Sequence, residues 1–95
     1  MGAEERELRD RAAEALVEIP DLEVHPMFSG FGFYVDGLLV AAAWQGAFRL
    51  RHREGSRWVY QPVDAALLDD PPALVALVEE RTRELSREPA ARRRR

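Results

Sequence analysis

Between Leu22 and Tyr60 the chain alternates short β-prone runs with compact turn signals, and this pattern constrains the fold more than any other feature of the sequence. Phe31 to Val35 is aromatic and β-prone. It is followed by Asp36-Gly37, a pair that tolerates positive φ at both positions and so favours a two-residue hairpin. Leu38 to Trp44 reads as a buried strand and Gln45-Gly46 as a second turn. From Ala47 to Arg53, Phe48 and Leu50 alternate with Arg49, Arg51 and Arg53, which puts the apolar and charged residues on opposite faces of a strand. Glu54-Gly55-Ser56 turns the chain again before a last strand at Trp58, Val59 and Tyr60. Ahead of the hairpins, Leu22 to Met27 is a short extended stretch whose Pro26 suits a sheet edge or a strand end. Turns recurring about every 8–12 residues imply an antiparallel meander of about five strands.

Helical patterns lie on either side of this meander. Over residues 4–19, Leu8, Ala12, Ala15, Leu16 and Ile19 fall on one helical face, and Glu7, Arg11, Glu14 and Glu18 on the other. Pro20-Asp21 stops that helix. Asp64 is placed to cap a short turn through Leu68. Asp70-Pro71 is a helix start, with Asp as N-cap and Pro at the first helical position. Leu74, Leu77, Val78, Thr82 and Leu85 then mark an inner face, and Pro89 ends the helix. Helices at the two ends of the sequence point to an α+β fold, an antiparallel sheet flanked by an N-terminal and a C-terminal helix. The length of 95 residues fits one domain, read here as residues 4–88, followed by a basic tail at 89–95 expected to be disordered.

Composition excludes several chemistries. The chain has no cysteine, which rules out disulfides, thiolate nucleophiles and cysteine-bound metal. All 14 basic residues are arginine, so no lysine is present to form a Schiff base. Arg92 to Arg95 contribute +4 to a net charge of -3, so residues 1–91 carry -7. Such an acidic body repels phosphate unless local basic patches reverse the field. The longest apolar run, Leu38 to Trp44, is far short of the roughly 20 residues that span a bilayer. The acidic, polar beginning of the chain is unlike a secretory signal, and Arg6 stands where a myristoylation motif takes Ser or Thr. A cytoplasmic location without membrane association is the resulting expectation.

The stretch HPMFSGFGFYVDGLLVAAAWQGAFRLR resembles the signature region of TfoX N-terminal-type domains, the first domain of the TfoX/Sxy competence regulators. The matching positions are Met27, Phe28, Gly30, Gly32, Tyr34, Asp36, Gly37 and Leu50. The later segment VYQPVDAALLDDPPALVALVEE is similar to the family's end: an aromatic residue, a Pro-containing link and an acidic start to a final helix. The resemblance spans about residues 5–86. Ser29 replaces the first glycine of the family's usual pair, and Arg51 stands where the family favours Lys. The sequence carries no counterpart of the separate C-terminal domain of the full-length regulators. The resemblance implies a compact fold like that of type III secretion chaperones, homodimerisation, and a protein-binding regulatory role. In the competence regulators that role is to assist a transcription factor, the cyclic-AMP receptor protein, at promoters.

The candidate binding residues are Arg49, Arg51, Arg53, Arg57 and Trp58, close in sequence to Trp44 and Tyr60. Arginines and aromatics on one sheet face suit a protein partner's acidic patch. They also suit single-stranded nucleic acid, which stacks bases on aromatic rings and sets phosphates on guanidinium groups. The bland alternative is a solvated face with arginine stems lying over aromatic rings. Gly30 and Gly32 leave one face of their strand bare until Tyr34, and the first helix is expected to pack there. Met27 and Phe28 are expected in the core or at a dimer contact. The motif lacks the third glycine and following helix of a nucleotide-binding loop. His25 and His52, the two histidines, are not at metal-ligand spacing. His52 is expected to be exposed. Ser29, Ser56 and Ser86 lack a nucleophile context, and Glu79-Glu80 reads as helix surface. No catalytic residue, metal or cofactor is assigned. A ligand pocket lined by Tyr34, Trp44 and His52 is the observation that would favour a small enzyme.

Overall fold

The computed structural model describes residues 2–88, and the basic tail assigned to 89–95 lies outside them. The elements follow in the order α1 (Ala3–Ala15), β1 (Leu22–Met27), β2 (Gly30–Val35), β3 (Leu38–Trp44), β4 (Ala47–Glu54), β5 (Arg57–Pro62), a 3-10 turn (Ala65–Asp69) and α2 (Pro71–Ser86). The five strands form one antiparallel sheet in the order β1-β2-β3-β4-β5, so each strand pairs only with its neighbours in sequence. This is the α+β arrangement that the periodicity implies.

The turns follow the residues that permit them. Asp36 and Gly37 take φ of 53° and 82°, and Gln45 and Gly46 take 50° and 76°. Positive φ at both central residues matches the hairpin's twist to that of its strands. Asp64 accepts the amide of Ala66 at 3.0 Å, and Asp70 accepts that of Ala73 at 3.5 Å, so both acidic caps act as expected. Helix α1 is shorter than the residue 4–19 pattern. It ends at Ala15, and Leu16 to Ile19 continue as turns held by Val17 N–H to Glu14 C=O and Ile19 N–H to Leu16 C=O. Pro20 disfavours the helical region for Ile19. The unwound turns still leave Leu16 0% and Ile19 5% exposed.

Both helices pack on one face of the sheet. Ala12, Ala15 and Leu16 from α1 and Leu74, Val78 and Leu85 from α2 join Phe31, Phe33, Val40, Phe48 and Leu50 in a single core. Phe33 and Phe48 meet edge to face at 5.2 Å, and the Arg9 guanidinium lies 4.6 Å from the Phe31 ring centroid. Burying these side chains contributes roughly 1.5–3 kcal/mol for each large residue. Leu77 and Thr82, assigned to the inner face of α2, are half-buried at its margin.

A β-bulge in β3 sets the phase of the sheet. Phe33 pairs with Ala41 but Tyr34 with Leu39, which leaves Val40 as the extra residue. A bulge points two successive residues to the same side. Val40 and Ala41 accordingly both face the helices with no exposure, and Leu38 follows on that side at 8%.

The helices do not cover the bare side of Gly30 and Gly32. They pack on the opposite side, where Phe31 and Phe33 supply the apolar contact that a glycine face lacks. The two glycines serve the sheet instead. A Cβ on Gly30 would overlap the carbonyl of Ala43, whereas the space over Gly32 is filled by the side chains of Leu39, Tyr34 and Met27.

Candidate functional site

With both helices on one side, the other face of the sheet is left open, and the strand register decides what it displays. Ala42 pairs with Arg49, Trp44 with Ala47, Arg51 with Tyr60 and Arg53 with Trp58, so these residues share that face. Tyr34 and Leu39 pair on the same side of β2 and β3. The face is an arginine and aromatic surface that covers itself, as Ala42 at its centre is 0% exposed.

Arg49 is fixed by backbone carbonyls. Its Nε donates to Trp44 O at 2.9 Å, Nη1 to Tyr60 O at 3.3 Å and Nη2 to Gln45 O at 3.3 Å. Arg51 donates from Nη1 to Leu39 O at 2.9 Å, and its guanidinium carbon lies 4.0 Å from the Trp58 ring centroid. A cation over an indole at this range contributes about 0.5–2 kcal/mol, more as water is excluded. The Nε of Arg51 is buried without a partner among the described residues. Burial lowers the pKa of Arg51, opposed by Tyr60 and Tyr34. Burial likewise raises the pKa of the Tyr60 phenol, against the pull of the Arg51 charge.

Aromatic side chains surround the two arginines. Trp44 donates to Ser29 Oγ at 3.2 Å and meets Tyr60 edge-on at 6.2 Å. Phe28 is 81% exposed and tilts toward Trp44 at 6.3 Å. Of the two positions expected for Phe28, the core or a dimer contact, this exposure overturns the core. Phe28 occupies the β1–β2 turn with φ of 55°, and that geometry turns the ring outward. Met27 is half-buried beside Gly32. At the β1 edge, His25 packs against Tyr34 at 5.5 Å and contacts Glu23 at 2.9 Å.

The five candidate binding residues do not form one cluster. Arg49, Arg51 and Trp58 come together. Arg53 lies 5.6 Å from the Trp58 ring, but its guanidinium is engaged by Gly55 O at 2.9 Å and Glu88 Oε1 at 3.3 Å. Arg57 does not join them: it pairs across the hairpin with Glu54, on the helix-side parity of β4, and its side chain reaches the Glu54 carboxylate at 3.6 Å. His52 is also on the helix side. Its side chain is only 20% exposed, with Nε2 3.2 Å from Glu54 and Nδ1 buried without a partner among the described residues. Tyr34 and Trp44 thus face away from His52, and a pocket shared by the three is not formed.

Trp44 and Tyr60, expected beside the arginines, join the surface, and Tyr34 and Phe28 extend it although the binding-residue pattern did not include them. The two-residue turn at Gln45-Gly46 fixes Trp44 opposite Ala47 and so on the Arg49 side. Among the described residues no group of three or more His, Asp or Glu side chains is arranged to hold a metal ion, and no helix is long and apolar enough to cross a membrane. No family model, curated protein or solved structure matches the chain.

Proposed function

We propose that this chain is a non-enzymatic regulatory or adaptor domain that works in the cytoplasm by binding protein through its open sheet face. One observation carries this reading: Arg49 and Arg51 are held in place on an aromatic surface, and neither forms an ion pair with a carboxylate among the described residues. A half-buried cation without a counter-ion gains from an anionic partner that excludes water. The body measures 33 × 27 × 22 Å, so a broad face has room for the roughly 800 Å² per partner of a standard interface. The resemblance to TfoX N-terminal domains supports a regulatory role, with a transcription factor among the candidate partners. It supports homodimerisation too, although stacking two open faces would bring Arg49 and Arg51 of both copies together.

Affinity capture from native extract tests the proposal. The combined variant Arg49→Ser, Arg51→Ser, Arg53→Ser is expected to lose the captured protein while keeping its far-ultraviolet circular dichroism. Glu79→Ser with Glu80→Ser on α2 is expected to retain it. Equal capture by both variants rejects the open face as the binding surface.

The interleaving of Arg49 and Arg51 with Trp44, Trp58 and Tyr60 also supports a second reading, a nucleic-acid-binding module. A salt titration with single-stranded DNA and RNA separates the two, since no binding at low salt removes the second.

A further inference from the structure

The open face also points to the chemistry of its partner, an inference that rests on the binding role proposed above. We infer that the occupant is a short acidic segment of a protein partner, with a few carboxylates set among apolar side chains.

Ion pairing separates the arginines of the sheet. Arg53 and Arg57 each contact a carboxylate of the same chain, at 3.3 and 3.6 Å. Arg49 and Arg51 contact backbone carbonyls and aromatic rings instead. Those contacts position the guanidinium groups without neutralising them. They also hold two rotamer-rich side chains in place before a ligand arrives, which reduces the ordering cost of binding. An arginine has five N–H donors. Arg49 uses three on carbonyls, so donors remain for a carboxylate.

Spacing and surroundings narrow the ligand. Arg49 and Arg51 are alternate residues of β4, about 6.6 Å apart along the strand. Alternate side chains of an extended peptide repeat at the same distance. Trp44, Trp58, Tyr60 and the exposed Phe28 flank the two cations and offer apolar contact to intervening side chains.

A nucleic-acid strand fits less well. Contact with only a few phosphates gives weak, salt-sensitive binding. A longer strand would run on over the acidic surroundings, with Glu23 and Asp36 toward one edge, Glu54 at the β4–β5 turn, and -7 over residues 1–91. A short acidic segment ends before it meets that repulsion, which fades over about 8 Å at physiological salt. A second copy presenting the same face brings like charges together.

Trp44 and Trp58 are the chain's two tryptophans, and both belong to this face, so intrinsic tryptophan fluorescence reads it directly. The probes are a short synthetic peptide alternating Glu and Val, its counterpart with Gln for Glu, and an oligothymidylate of similar length. At low ionic strength the Glu peptide is expected to give a saturable change that added salt weakens. The Gln peptide is expected to bind at least about tenfold more weakly, the loss of one charge-assisted contact or more. Arg51→Met should show the same loss toward the Glu peptide. The two-peptide comparison uses the unaltered protein, so it stands even if the variant folds poorly. Equal responses to both peptides, or no response to either, overturn the acidic occupant. Tighter binding of oligothymidylate overturns it as well and assigns the face to nucleic acid. If the peptides fail while protein capture still depends on Arg49 and Arg51, the binding role stands and only the partner's chemistry falls.

Discussion

Ala41 and Ala42 are neighbours in β3 and neither is exposed, yet they are covered from opposite sides. Ala41 lies under the two helices with Phe33 and Leu50 as its register partners, whereas Ala42 lies among Arg49 and the aromatics of the open face. On the helix side, every fully buried residue is apolar, and that burial stabilises the fold. On the open side, the cover consists of charged and aromatic side chains that a partner can reach. The same strands therefore present one surface built for stability and another on which Arg49 and Arg51 have no carboxylate partner among the described residues.

The largest expected difference between the faces is in stability. Phe33→Ala should cost about 3–5 kcal/mol in urea unfolding, because Phe33 is fully buried against Phe48. Trp58→Ala, on the half-buried side, should cost clearly less. Equal losses would show that both faces carry the fold.

The glycines of β2 give a sharper test. Gly30→Ala should cost about 1–3 kcal/mol, because its Cβ meets the Ala43 carbonyl and backbone must move. Gly32→Ala meets only side chains that can shift, and should cost less than about 1 kcal/mol. A reversed order in thermal unfolding would contradict the packing at both sites.

Arg51→Met is expected to change stability by less than about 1 kcal/mol, since a flexible apolar chain can still cover Trp58. Its binding to the acidic peptide should nonetheless fall. A large loss of stability would make Arg51 a structural residue.

The smallest effect concerns pH. Burial raises the Tyr60 pKa above its ordinary 10.0, so folding favours the neutral phenol. That contribution is complete below about pH 10 and is lost as pH climbs through the folded-state value. Tyr60→Phe should flatten this alkaline decline in unfolding experiments. An unchanged decline would place the phenol in contact with water in the folded state.

Much of this arrangement was legible in the sequence because short-range chemistry determines it. Asp36-Gly37 and Gln45-Gly46 specify hairpins, Asp64 and Asp70 specify caps, and the alternation of Phe48 and Leu50 with Arg49 and Arg51 specifies two strand faces. Which face the helices cover was harder to read. Phe31-Gly32-Phe33-Tyr34 is aromatic on one side and glycine-rich on the other, and either side can receive a helix. The bulge at Val40 is hidden because Leu38 to Trp44 is apolar at every position and shows no alternation to break. Arg57 falls off the arginine face for a simpler reason. The two-residue turn at Gly55-Ser56 sets it opposite Glu54, one step out of phase with Arg53. The outward position of Phe28 depends on a left-handed turn residue that nothing in its side chain demands.

The strictly sequential strand order also has a kinetic consequence. Every strand pairing closes through a two-residue turn, so the sheet can form as a row of adjacent hairpins with little loop-closure entropy. The distant contacts are those between α1, α2 and the sheet, such as Ala12 and Leu16 meeting Leu74 and Val78 in the core. Low contact order favours rapid assembly of the sheet, while docking of the terminal helices completes the cooperative unit. Refolding after dilution from urea should therefore be fast and single-exponential. Substitutions in α2 should act mainly on the unfolding rate, and those at the hairpin turns on the folding rate.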